Sequence, residues 1–156
     1  MTDSAGLAAR LELQAEQHAT LIRIPRLNDD RGALCVIDWA DMLPFTPDRL
    51  YYIHNVSENV KRAGHAHFYG QELILSLSGS VTVVVDDGCT RKEFLLDRPD
   101  LGLYIPAMIW HELQGFSRDA VCAVLASGRY SEEDYCRDYQ QFLNRATQPA
   151  PSSPLP

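Results

Sequence analysis

Lysine, long apolar runs and closely spaced cysteines are all scarce in this chain, and each scarcity removes a class of function. Only Lys61 and Lys92 are lysines among 14 basic residues, and 21 acids leave a formal net charge of −7. A chain of that balance lacks the basic face that a phosphate backbone demands, so no nucleic-acid partner is expected. No apolar run approaches the roughly 20 residues of a membrane helix, so no membrane partner is expected. The opening MTDSAGLAARLELQAEQH carries acids and polar groups. A secretory signal would instead need a basic start and an apolar stretch of about 7–15 residues. A cytoplasmic location is the expectation. Cys35, Cys89, Cys122 and Cys136 are too widely spaced for a C-x-x-C metal or redox motif, and a reducing compartment leaves them as plain thiols.

What is present fits one domain. At 156 residues, with 46% hydrophobic and 22% charged content, the chain can bury roughly two thirds of its unfolded surface without staples. Leu7 and Leu11 suggest a short helical extension over 1–20. From 33 to 127 the text is a series of short β-branched and aromatic runs: LCVID, RLYYIHN, GHAHF, ELILSL, SVTVVVDD, EFLL, GLYIP and AVCAVLAS. Eight or so strands with turn signals between them and no intervening helix predict an all-β sandwich or barrel. Asp86-Asp87-Gly88 is the sharpest of those turns, because Asp and Gly supply positive φ cheaply. Ser131, with Asp134 three residues on, reads as the cap of a closing helix striped by Tyr135, Tyr139 and Phe142. The main domain is thus expected over 21–145, followed by a disordered Pro/Ser-rich tail over 146–156.

Two histidines stand two apart in Gly64-His65-Ala66-His67. On a strand they share a face, about 6.6 Å apart at ~3.3 Å of rise per residue. Two imidazoles side by side are a costly filler for an apolar core, which favours a functional reading. Glu72, Gly79, Pro106 and His111 follow at spacings H-x-H-x(4)-E-x(6)-G and P-x(4)-H. These resemble the two motifs of the cupins, small jelly-roll barrels in which two His, a Glu and a third His can hold one metal ion. Asn59 and Met108 stand where the fuller motifs carry glycine. Two chemistries are open on the residues alone. His65, His67, Glu72 and His111 suit a divalent transition metal, or the histidines act as acid and base without one.

A longer series of segments is similar to the dTDP-4-dehydro-6-deoxyhexose 3,4-ketoisomerases, from Leu21 to about Phe142. It comprises Asp30-Arg31-Gly32-Ala33-Leu34, Leu43-Pro44-Phe45, Arg49-Leu50-Tyr51-Tyr52-Ile53, Arg62-Ala63-Gly64-His65-Ala66-His67, Ser78-Gly79-Ser80, Asp86-Asp87-Gly88, Gly102-Leu103-Tyr104-Ile105, Trp110-His111-Glu112 and Ser131-Glu132-Glu133-Asp134-Tyr135. The resemblance implies a homodimeric cupin that moves a carbonyl from C4 to C3 of a nucleotide-linked 6-deoxyhexose through an enediol, with no metal or organic cofactor. The family's two catalytic histidines fall on His65 and His67. Tyr52 or Tyr51 is then a candidate donor to the enediolate oxygen. Arg62, with Arg31 and Arg49 behind it, is a candidate for the diphosphate, and Trp110 for the sugar or base. Two positions depart from the family. Phe68 replaces a basic residue, and Glu72 replaces a glutamine and puts a carboxylate beside the histidines. The alternatives are a metal-dependent cupin and a cupin that binds a sugar nucleotide without turning it over. A 3,5-epimerase stands behind these, since its usual His/Asp pairing is not visible in the sequence.

Overall fold

The computed structural model describes residues 17–147. The strands are β1 (Thr20–Arg23), β2 (Arg26–Asp29), β3 (Gly32–Cys35), β4 (Arg49–His54), β5 (Arg62–His67) and β6 (Glu72–Ser78). After them come β7 (Val81–Asp86), β8 (Arg91–Leu96), β9 (Leu101–Ile105), β10 (Trp110–Gln114), β11 (Val121–Ala126) and β12 (Tyr135–Cys136). Two five-stranded antiparallel sheets, ordered β1-β9-β6-β11-β4 and β12-β5-β10-β7-β8, form the cupin jelly roll, and β2-β3 is a separate hairpin. The helix expected over 1–20 lies outside the described residues, except that Thr20 already begins β1. Of the tail expected over 146–156, Ala146 ends a helix and Thr147 is its C-cap, a correction to the expected boundary, and the rest lies outside the described residues. No helix among the described residues is long and apolar enough to cross a membrane.

Period-two alternation explains how the strands share three cores. On β6, Ile74 packs with Val81, Val83, Leu103 and Val124 between the sheets. Its neighbours Leu73 and Leu75 face the other way, beneath Ile24, Leu43, Phe45 and Tyr104. Burial on both faces is why Leu73, Ile74 and Leu75 stand as three consecutive apolar residues. The third core covers the outside of the second sheet, where Ala66, Trp110 and Cys136 meet Phe142.

The closing helix is shorter than the sequence suggests and starts later. Its residues are Tyr139–Ala146, and Asp138 is the N-cap, accepting from the Gln141 N–H at 2.8 Å. The expected start at Ser131 is corrected to a 3₁₀ turn, Glu132–Asp134, that runs into β12. Tyr135 and Cys136 pair there with His67 and Ala66. The unsatisfied edge of β5 recruits those two residues, and the ladder outweighs a helical stripe that would have left the edge bare. Phe142, fully buried under the helix, contributes roughly 1.5–3 kcal/mol by burial.

Both departures from the cupin glycines have a backbone signature. Asn59 (φ +64°) and Met108 (φ +59°) occupy the left-handed region that glycine enters without cost. Met108 is held there by its N–H, which donates to the His67 carbonyl at 2.7 Å.

Candidate active site

β5 carries a bulge before the histidines. His65 pairs with His111 of β10, but Ala63 pairs with Glu112, so Gly64 (φ +79°) is the extra residue. Beyond it the strand alternates regularly. His65 and His67 turn to the lumen, and Ala66 turns outward under the closing helix. The imidazole centroids of His65 and His67 are 5.0 Å apart, and that of His111 is 4.7 Å from His65. Tyr135 closes over the pair, 4.7 Å from His65 and 4.5 Å from His67.

Glu72 enters from the facing sheet at 1% exposure. Its Oε1 is 3.3 Å from His67 Nε2, its Oε2 is 3.3 Å from His111 Nε2, and Tyr51 donates its hydroxyl to Oε1 at 2.8 Å. The two 3.3 Å approaches are close contacts without hydrogen-bond alignment, since His67 Nε2 and Glu72 Oε2 have no hydrogen-bond partner. On the other side of His67, Asp134 Oδ2 accepts from Nδ1 at 2.9 Å. A His/Asp pairing is therefore present. Sequence reasoning missed it because the partners are 67 positions apart.

These surroundings push the two neighbouring imidazoles in opposite directions. Burial, with His111 and His67 close by, lowers His65 to about 3 and keeps it neutral. Neither of its ring nitrogens has a hydrogen-bond partner. Burial also works against charge on His67, but Glu72 and Asp134 outweigh it and raise that pKa. Burial would raise Glu72, yet contact with His111 and His67 holds its carboxyl well below the usual range. Burial and Glu72 together push the Tyr51 hydroxyl up, so it stays a donor.

A cavity of about 580 Å³ opens from this cluster. Tyr51, His65, Glu72 and His111 line its inner part, and Arg49, Arg62, Arg137 and Tyr130 line its mouth. Arg49 lies over the Tyr51 and Tyr130 rings, and its buried Nε has no acceptor. Arg137 lies over Tyr135 at 4.4 Å. Arg137, Tyr130, Tyr135 and Asp134 were not singled out from the sequence as site residues. The helical reading of Ser131 onward hid three of them.

Two expected site residues, Trp110 and Arg31, are placed elsewhere, and Tyr52 stands at the rim. β4 alternates so that Tyr51 faces the reacting centre, while Tyr52, 64% exposed beside His54, contributes only to the cavity's outer lining. Trp110 precedes the inward His111 and therefore faces out, packed on Tyr139 and Phe142. Arg31 sits on the β2–β3 hairpin, paired with Asp29 and away from the cavity. Arg49, Arg62 and Tyr51 do reach the cavity.

The ring nitrogens of His65, His67 and His111 lie within 4.8 Å of one another. With Glu72 they are the donor types that a divalent transition metal takes. The same four groups, one imidazole neutral and one held between carboxylates, also make a proton-transfer site.

Comparison with known proteins supplies the family. The model of the FdtA family, described as WxcM-like, C-terminal, matches residues 17–147. The TDP-4-oxo-6-deoxy-alpha-D-glucose-3,4-oxoisomerase of Aneurinibacillus thermoaerophilus is 39% identical over 122 residues, 78% of this chain and 88% of that protein. Among solved structures, a 3,4-ketoisomerase from Helicobacter canadensis superposes with a TM-score of 0.81 at 33% identity, over 85% of this chain and all of that one. A His-to-Asn variant of the 3,4-ketoisomerase QdtA from Thermoanaerobacterium thermosaccharolyticum, solved with TDP-4-keto-6-deoxyglucose, superposes at 0.79 with 32% identity, over 82% and 93% of the two chains.

Proposed function

The chain belongs to the FdtA family and is a sugar-nucleotide 3,4-ketoisomerase, and on that footing we propose its substrate and the residues that move the proton. The substrate is a dTDP-linked 4-keto-6-deoxyhexose and the product is its 3-keto isomer. The support is that relatives act on, or are seen with, TDP-4-keto-6-deoxyglucose.

One observation carries the mechanism. Two imidazoles 5.0 Å apart stand in opposite settings, His65 with no hydrogen-bond partner and His67 between Glu72 and Asp134. Neutral His65 is the base. The adjacent ketone acidifies C3–H, that bond breaks, and its proton goes to His65. The electron pair runs to O4, which takes a proton from the His67 imidazolium. The resulting 3,4-enediol returns its O3 proton to His67, and His65 delivers its own proton to C4, leaving the ketone at C3. Atoms balance, and no oxidant or reductant is needed. Each general acid or base is worth about 10²–10⁴ in rate. Tyr51 replaces Tyr52 as the hydroxyl beside the reacting centre. At the mouth, Arg49, Arg62 and Arg137 present guanidinium forks of the kind that grip a diphosphate.

The test is turnover of dTDP-4-dehydro-6-deoxyglucose followed by NMR at C3 and C4. The 3-keto sugar is expected with wild-type protein, before and after treatment with EDTA, and not with His67→Asn. Activity lost on chelation and restored by a divalent cation would instead make His65, His67, Glu72 and His111 a metal site. Nucleotide binding without turnover would make the protein a sugar-nucleotide receptor.

A further inference from the structure

Asp134 makes more contacts with the site than a lone ion pair would. Its main-chain oxygen accepts from the Phe68 N–H at 2.8 Å. Its Oδ1 accepts from the N–H groups of Tyr69 and Gly70 at 2.8 and 3.3 Å. Only Oδ2 is left for the ring of His67, at 2.9 Å. One residue thereby grips all four positions from 67 to 70.

Gly70 is what lets it come so close. Its φ lies outside the left-handed region, so nothing in the backbone calls for glycine. A Cβ there would stand 2.6 Å from Asp134 Oδ2 and 3.2 Å from His67 Cγ and Nδ1. The missing side chain is the space through which carboxylate and imidazole meet.

We propose that Gly70 and Asp134 are positioning residues that hold His67 with its proton on Nδ1, so that Nε2 alone exchanges protons with the substrate. A carboxylate has only acceptors, so the nitrogen facing it must carry hydrogen. The ring is then presented to the lumen in one orientation, and when the imidazolium gives up its Nε2 proton, beside Glu72, the neutral form left is the Nδ1–H tautomer, which is how second partners of histidine commonly act. The proposal rests on the acid–base reading of His67, yet the tautomer can be read without turnover.

The substitution Asp134→Asn separates positioning from folding. The new side-chain oxygen would keep both main-chain N–H donors of Tyr69 and Gly70, which turns its NH₂ toward His67 Nδ1. That nitrogen must then become the acceptor, and the proton moves to Nε2. The equivalent exchange in the serine-protease triad, which leaves geometry intact and gives the wrong tautomer, costs about 10⁴ in kcat. Long-range ¹H–¹⁵N spectra of the full chain with ¹⁵N-labelled histidine read the tautomer directly. Wild type is expected to show a protonated Nδ1 on His67. Asp134→Asn should move it to the unprotonated range and lower kcat by about 10²–10⁴, with KM within a factor of about two. Gly70→Ala should loosen the same contact and shift the same resonance. An unprotonated Nδ1 in wild type overturns the proposal even if the variants do not fold, and so does an Asp134→Asn protein with unchanged tautomer and kcat. Turnover by His67→Asn would overturn the acid–base reading itself and leave the tautomer result standing.

Discussion

Tyr51 donates its hydroxyl to a carboxylate oxygen of Glu72 at 2.8 Å, across the lumen from the paired histidines. Glu72 is buried and charged, so each donor it has offsets part of the cost of taking it out of water. Tyr51→Phe removes one and is expected to destabilise the fold by about 1–3 kcal/mol. Tyr52→Phe, on the outward face of the same strand, is expected to change stability by less than about 0.5 kcal/mol. Urea denaturation of the two variants reads the difference.

The histidine pair sets the pH dependence. His67 is raised above its usual value, so the imidazolium needed as acid persists past pH 6.5 and is lost as pH climbs through the raised pKa. His65, lowered to about 3, is neutral throughout. The profile of kcat/KM should therefore be flat through 6.5 and fall only on its alkaline side. Stability follows the same signs. The share contributed by His67 is fully present below 6.5 and declines as pH rises through its folded pKa. His65 acts oppositely, weakening the fold progressively from 6.5 down to about 3 because the unfolded chain binds the proton first. An inflection at 6.5 on the acid side of the rate profile would contradict the assignment of His65 as a neutral base.

Arg49 offers a buried Nε without an acceptor at the cavity wall. A charged hydrogen bond from it to the substrate is worth about 1.5–3 kcal/mol. Arg49→Ala is expected to raise KM by about 10- to 10²-fold with kcat much less affected. Arg62→Ala and Arg137→Ala should act in the same direction and steepen with falling salt. Arg31→Ala, on the hairpin, should leave KM unchanged. Steady-state kinetics of the four variants tests the arrangement.

Phe142 is fully buried against Ala66, Trp110 and Cys136. Phe142→Ala removes a full aromatic ring and is expected to cost about 3–5 kcal/mol, visible as a lowered thermal midpoint.

Strands with an apolar face announced themselves in the sequence. RLYYIH, ELILSL and SVTVVVD fall on β4, β6 and β7. β10, WHELQ, was passed over because His, Glu and Gln supply no apolar alternation, although it carries His111. β2 escaped for a related reason, since RLND buries nothing. The histidines of the site were legible because both sit on one strand and their spacing is local. Asp134 was not, because its partner is distant in sequence and the segment that delivers it imitates a helix. The side that each residue faces was the other blind spot. Tyr51 and Tyr52, or Trp110 and His111, are adjacent letters, and only register decides which one enters the lumen.

β12 is two residues long, yet it joins positions that close a loop of nearly seventy residues, from His67 to Tyr135. Two residues of ladder set few bonds against that closure cost, whereas the equally distant β1–β9 and β4–β11 pairings have four and six pairs to offset theirs. A refolding chain can pair all the longer strands and still lack the tyrosine over the histidines and the aspartate behind them. Recovery of turnover should therefore lag recovery of the β-sheet signal, and enzyme activity becomes a clock for the last step of folding.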